Sequence, residues 1–391
     1  RLSSIKPFAK IRDHFNFFYV IPGLTRDPEA KKERWIPAFA GMTVILLLIL
    51  IPMMTIKQIY QLAISEGMKK DLRGAKRVKE ILARLKKKYD KLSDEQKKEY
   101  DAEQLTNPYS DTRVFHGAPE TKINKVLVGV DIDTGEVMLA NELNRRNPKS
   151  PIDLIIAHHP VGSGLAGLHE VMDLQVELLA HYGVPINIAE KITQARIGQV
   201  ERGLSPINHG QSVDAAKLLN IPIMCAHTVT DNHIASYLYG EIKKRAKDLM
   251  YVEDVMAFLK SIPEYQQAGK DKAGPIIFSG SMDSFAGKIA VTEITGGTDG
   301  AKEVYERLAH AGVGTIISMH QREEWKDEAK KHHLNVVVAG HMSSDSLGLN
   351  LFLDNLEKKG IEIVPCSGFI RVSRLPVRRS LGGGGVKKGK R

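Results

Sequence analysis

Three short stretches of this chain gather side chains suited to chemistry: His158-His159-Pro160, His227-Thr-Val-Thr-Asp231 and Gly340-His341-Met-Ser-Ser-Asp345. Imidazoles and carboxylates with no thiolate beside them make a mixed nitrogen and oxygen donor set, which suits Zn, Fe, Mn, Co or Ni rather than a soft metal. In the first stretch a proline turns the chain outward, so that both rings can converge. In the third, a spacing of four puts His341 and Asp345 on one face of a helix expected to begin near Ser343, with Gly340 supplying the tight turn before it. Each stretch also has a plainer reading: the paired rings could cap backbone groups, Asp231 could form an Asx-turn, and Asp345 could simply complement a helix dipole. Together, His158, His159, Asp231, His341 and Asp345 are too many donors for one tetrahedral catalytic metal that keeps a water. They suit two metals about 3.5–4 Å apart, bridged by a carboxylate and a hydroxide.

The elements that must position these residues follow from the apolar pattern. From residue 124 onward, short apolar runs alternate with longer amphipathic stretches, as in βαβ units. The spacing predicts strands over 125–130, 153–157, 221–226, 288–292, 314–319, 335–339 and 362–364, and helices over 168–182, 213–219, 233–259, 301–311 and 347–359. Asp131 and Asp133 follow the first run, His158 the second, His227 the third, His320 the fifth and His341 the sixth. Ligands of open α/β sheets bind beyond the carboxyl ends of the strands, so the fold class is α/β, with helices flanking the sheets and the site at those ends. Glu170 and Glu190 are spare carboxylates that could orient a metal-bound imidazole. Gly296-Gly-Thr-Asp-Gly300, ahead of a helix, reads either as an anion cradle or as a plain turn. His169, His181, His209, His310, His332 and His333 read as surface or hydrogen-bonded residues. Neither a Ser-His-Asp nucleophile nor a P-loop is found in the sequence.

Composition narrows the function classes. A chain of 391 residues, 42% apolar and 26% charged, is ordinary globular material with room for two or three domains. Two cysteines, Cys225 and Cys366, each end an apolar run; they predict free thiols and a reducing, cytoplasmic setting. The net charge of +10 suggests nucleic acid until it is divided along the chain. Residues 1–53 and 371–391 together supply +12, leaving −2 on the body, so a phosphate backbone finds no footprint there.

The chain divides into four parts. Residues 1–53 lack steady periodicity, and their Pro- and aromatic-rich runs resemble translations of dispersed bacterial repeats at the start of over-extended reading frames, which would put the native start at Met53 or Met54. The alternatives are a leader built on Val44 to Ile51, which has signal-peptide length, and, third, a membrane anchor, for which the stretch is too short. Residues 54–110 are a helical segment, with Ile56, Ile59, Val78 and Ile81 at helical spacing and Ser93 capping one more short helix. Residues 111–370 are the α/β core, with helices and a polar linker at about 236–275. Residues 371–391 read as a basic, disordered tail.

With Ile155-Ile-Ala-His-His-Pro160, His227-Thr-Val-Thr-Asp231 and Gly340-His-Met-Ser-Ser-Asp345 in that order, the sequence resembles the NIF-three-like family over about residues 111–372. Many of its members carry the name GTP cyclohydrolase I type 2 homologue. The resemblance implies a two-lobed subunit, a metal site between the lobes, and toroidal homo-oligomers, commonly hexamers. It also implies two divalent metal ions per subunit on His158, His159, Asp231, His341 and Asp345. Two departures stand out. The family's last ligand is usually glutamate, one methylene longer than Asp345, which bears on metal spacing or bridging mode. Where relatives show Thr-Gly-Glu, this chain has Ser318-Met319-His320, so His320 joins or replaces a site group. The function expected is a metal-dependent hydrolase using a metal-bridged hydroxide on a nucleotide-like, phosphoester or cyclic-amide substrate, with Asp231, Asp345 and His320 in the chemistry. The alternative is a non-enzymatic metal-binding, metal-delivery or partner-binding oligomer. Neither a nucleic-acid nor a membrane partner is expected.

Overall fold

A computed structural model describes residues 53–376 of the chain. The expectations for residues 1–52 and for 377–391 lie outside the described residues.

The described chain opens with β1 (Met54–Thr55), α1 (Ile56–Lys70), α2 (Ala75–Tyr89) and α3 (Asp94–Glu99). Thr55 and Ser93 cap α1 and α3, each accepting from the backbone of a glutamine three residues on whose side chain reaches back. Ile56, Ile59 and Ala63 of α1 are buried in the main core, so this segment packs into the body. Next come β2 (Thr112–His116), β3 (Lys122–Ile123), β4 (Lys125–Gly129), α4 (Thr134–Arg146) and β5 (Leu154–Ala157). Helices α5 (Gly162–Ala166), α6 (Asp173–Tyr182), α7 (Ile186–Leu204) and α8 (Gln211–Leu218) then lead to β6 (Ile223–Ala226). The second half runs through α9 (Thr228–Lys244), α10 (Val252–Lys260), α11 (Pro263–Lys270), β7 (Ile276–Ser279), β8 (Lys288–Val291), α12 (Val304–His310) and β9 (Val313–Ser318). It closes with α13 (Lys326–Lys331), β10 (Asn335–Val338), α14 (His341–Lys358) and β11 (Glu362–Cys366).

Two mixed sheets carry the fold. One has the order β11-β4-β5-β6-β2 and the other β7-β10-β9-β8, while β1 and β3 pair separately. Within each sheet all neighbours are parallel except one antiparallel edge strand, β2 or β7. Strands β4, β5 and β6 are near-continuous apolar runs because both faces are covered by helices. Parallel pairing has a direct consequence: the carboxyl ends of β4, β5 and β6 share one edge, as do those of β8, β9 and β10.

The stretch 236–275 holds the end of α9 followed by α10 and α11, with Val252, Val255, Leu259 and Tyr265 buried beside Val291, Ile317 and Val337 of the second sheet. Helices with a polar linker are expected there, and the helices contribute core. Helix α14 begins at His341, two residues before the expected Ser343, because Gly340 completes the turn by itself at φ 109°. Among the described residues no helix is long and apolar enough to cross a membrane.

Candidate metal centre

Each side chain of the site is fixed by the end of a strand. Beyond β5, the His158 and His159 amides donate to the carbonyls of Gly129 and Val130 at 2.9 Å each, which continues the β4 pairing and sends the two rings into the space past the sheet. Beyond β6, His227 leads straight into α9, and Asp231 lies one turn in, its amide donating to the His227 carbonyl at 3.0 Å. Beyond β10, Gly340 has left-handed φ and so little room that a Cβ there would meet the Ala273 carbonyl at 2.9 Å. Only glycine fits, and the chain then enters α14 with His341 first and Asp345 one turn later.

These elements bring all five predicted metal residues together. His158 Nε2 lies 3.3 Å from Asp345 Oδ1 and 3.5 Å from Asp231 Oδ1. His159 Nε2 is 3.3 Å from His341 Nε2 and 3.5 Å from Asp345 Oδ2, which His341 Nε2 also approaches at 3.6 Å. His227, whose own role the sequence reading passes over in favour of Asp231, joins them with Nε2 3.7 Å from Asp231 Oδ2. Two donor groups result, His158 with His227 and Asp231, and His158 with His159 and Asp345, sharing His158. His320 stands at the margin, its ring centroid 4.9 Å from that of His341.

The hydrogen bonds behind the rings set their tautomers. Asp131 Oδ1 accepts from His159 Nδ1 at 2.7 Å, and Asp111 Oδ2 accepts from His227 Nδ1 at 2.8 Å. Behind His158 stands the Thr230 hydroxyl, 2.9 Å from Nδ1; because that hydroxyl donates to the Ala226 carbonyl at 2.7 Å, it is free only to accept. Each of the three rings, when neutral, thus carries its proton on Nδ1 and turns the Nε2 lone pair toward the carboxylates. Asp111 and Asp131 fill the orienting role expected of Glu170 and Glu190. Glu170 instead accepts from Gln104 at 2.9 Å, and Glu190 is exposed on α7.

Lone pair facing carboxylate oxygen is repulsive without something positive between them. His158 Nε2, Asp231 Oδ1 and both oxygens of Asp345 are buried with no hydrogen-bond partner. Buried acceptors left in this way are costly, and a cation satisfies all of them at once. The donor set therefore fits a metal of the nitrogen- and oxygen-preferring kind. Neither cysteine belongs to the groups; Cys225 is buried and donates to the Asp111 carbonyl, and Cys366 is partly exposed.

The electrostatics carry the same imprint. Burial pushes Asp231 up to about 8 and His158 down to about 4. His341 is also lowered by burial to about 4. Burial works against charge on His159 too, but the hydrogen bond to Asp131 and the neighbouring Asp345 carboxylate outweigh it and raise that ring to about 10. Asp345, although wholly buried, is held below the usual carboxylate range by His158 and His159. Without an ion, protons partly take over the cation's place.

Beside the cluster opens a cavity of about 380 Å³, walled by Leu165, Leu168, Ile294 and Met319 and reached by Asp131, His159, His227, Asp231, His320 and His341. Gly297 and Thr298 of the glycine-rich loop line it too. That loop is not a helix N-terminus: α12 starts only at Val304, and Asp299 within the loop already accepts from Arg196 and Arg322 at 2.8 and 2.6 Å.

The chain is similar to a solved NIF3 superfamily protein from Sphaerobacter thermophilus, at 29% identity and a TM-score of 0.60, over 66% of this chain and 92% of that one. Reduced HcgD from Methanocaldococcus jannaschii aligns at 14% identity and a TM-score of 0.37, covering 69% and 94% of the two chains. A Bacillus cereus protein related to NIF3 aligns at 14% and 0.36, over 67% and 93%. Those two are too distant to carry an argument. No protein-family model matches the chain, and no curated protein matches it.

Proposed function

We propose, from the premise that this is a NIF3-like chain, that it holds two divalent ions per subunit and works as a metal-dependent hydrolase. The observation that carries this reading is the set of buried, partnerless acceptors, His158 Nε2, Asp231 Oδ1 and the Asp345 carboxylate, at the edge of a cavity large enough for a small substrate. His158, His159, His341 and the added His227 would be terminal ligands, with Asp231 and Asp345 bridging or balancing charge. When bound, such ions would lower the pKa of a water and polarise the bond under attack. The protein's own work is to hold Nε2 lone pairs and carboxylates in place through Asp111, Asp131 and Thr230 before any ion arrives. His320, lowered by burial and lining the cavity, is a neutral ring placed to receive or return a proton. The assembly proposed is a homohexamer and the setting the cytoplasm.

The test is a hydrolase screen over amides, esters, phosphoesters and nucleotides, run on protein reconstituted with Zn, Mn or Fe after its metal content is counted. Turnover that disappears in His320→Ala while metal content is kept supports the assignment. Failure of every class, with both metal positions filled, would leave the second reading, a metal-delivery or metal-sensing protein. That reading draws on the depth of His158 and Asp345, at 1% and 0% exposure.

A further inference from the structure

The cavity beside the cluster differs from a phosphate-binding site in one respect that bears on its substrate. Among the described residues lining it there is no lysine or arginine. Its acidic side chains away from the metal donors are Asp131 and Glu293, the latter raised by burial to about 7, and its walls are Leu165, Leu168, Ile294 and Met319. Glu293 is held at the end of β8 with φ 57°, a strained conformation for a side-chain-bearing residue, and its Oε2 accepts from Gln321 at 2.5 Å. Arg196 and Arg322 are committed to Asp299, on the 510 Å³ cleft that both arginines line and that shares none of these residues. A phosphoryl group bound at the cluster would place its outer oxygens against apolar walls, Asp131 and Glu293, with His320 but no lysine or arginine to meet them, and a charge left unpaired there is heavily penalised. An uncharged acyl group has no such cost, and an apolar substituent on it gains from those same walls. At about 380 Å³ the space is also near the lower limit for ligand pockets, which favours a compact molecule.

We infer that the substrate is a small uncharged amide or ester carrying an apolar side group, bound in preference to phosphoesters and nucleoside phosphates. This rests on the hydrolase reading for the word substrate, but its recognition half is separately testable by binding. The experiment is calorimetric titration of Zn-reconstituted full-length protein with N-acetylleucinamide, phenyl phosphate and GTP, alongside the variant Thr298→Arg. Thr298 is a partly exposed residue of the cavity wall outside the donor cluster, so the variant adds a cation without removing a donor. The amide should bind the unaltered protein more tightly than either phosphate, and Thr298→Arg should raise phenyl phosphate affinity by about tenfold, the worth of one charge-assisted hydrogen bond. Phenyl phosphate or GTP binding as tightly as the amide in the unaltered protein overturns the inference, and so does failure of the amide to bind. Amide binding without turnover of any amide or ester would overturn the hydrolase reading and leave the recognition intact.

Discussion

At His158, His159 and His227 an imidazole lone pair meets carboxylate oxygen at 3.3 to 3.7 Å, acceptor against acceptor. In the metal-free protein the strain is relieved by protons, chiefly on Asp231, pushed up to about 8, and on His159, pushed up to about 10. Both groups therefore hold a proton at pH 7, and an ion must displace it. The sign follows: metal affinity should rise with pH through about 8, as Asp231 loses its proton, and on toward about 10, as His159 does, and fall as pH drops, with protons released on loading at pH 7. Titration in buffers of differing ionisation enthalpy reads that release directly; metal uptake with no proton release at pH 7 would contradict these protonation states. Asp131 is the other residue on which the scheme can be probed, because it is largely exposed and its hydrogen bond to the donor set is with His159 Nδ1. Asp131→Ala should weaken metal binding by roughly 10- to 100-fold, the usual effect of losing an orienting partner, while thermal stability stays near that of the unaltered protein. The five residues that the fold brings together are legible in the sequence because each lies at the end of an apolar run or four residues beyond the histidine that does. Asp111 and His227 are harder to see: Asp111 precedes β2, a short polar edge strand with no apolar run to announce it, and the motif around His227 points first to Asp231.

Helix α9 carries Asp231 in its first turn and α14 carries Asp345 one turn on from His341, and the two cross where Gly348 meets Thr230. A Cβ at Gly348 would lie 2.6 Å from the Thr230 carbonyl oxygen and 2.7 Å from Ile234, so the separation of the two carboxylates is set by a missing methyl group. Gly348→Ala should cost about 1–3 kcal/mol in denaturant unfolding, as overpacking does, and should also lower metal affinity by forcing the helices apart. Gly240→Ala is the internal comparison: it lies on α9, where a Cβ meets nothing within 4 Å, and helix propensity alone predicts a gain of up to about 1 kcal/mol. Equal effects at the two positions would contradict the crossing argument. Helix α1 supports α9 from the other side through a similar approach, with Gly67 so close to Val229 that a Cβ would come within 2.7 Å. At this scale the sequence is readable where a strand is a continuous apolar run, as in β4, β5, β9 and β10. It is silent for β2 and β7, whose antiparallel edge positions need only a few apolar residues. Helix starts are displaced wherever a single glycine, such as Gly340, can finish the turn.

Across the whole molecule, the two sheets bring ligands to one place from chain positions as far apart as His158 and Asp345, so the site exists only when both sheets are formed. The segment 54–110 belongs to that body through the buried face of α1. A closed symmetric ring remains the proposed assembly; light scattering should then give a mass several times the subunit's 43.4 kDa, and a monomer at micromolar concentration would contradict it. The most direct test of the central claim is the number of metal ions per chain, by elemental analysis of protein reconstituted with Zn, Mn and Fe in turn, for the unaltered chain and for Asp345→Asn. Asp345 touches His158, His159 and His341, so the prediction is close to two ions per chain in the unaltered protein and loss at both positions in the variant, with the fold retained by circular dichroism. A well-folded unaltered protein that takes up none of the three metals, or an Asp345→Asn protein with undiminished metal content, would contradict the account.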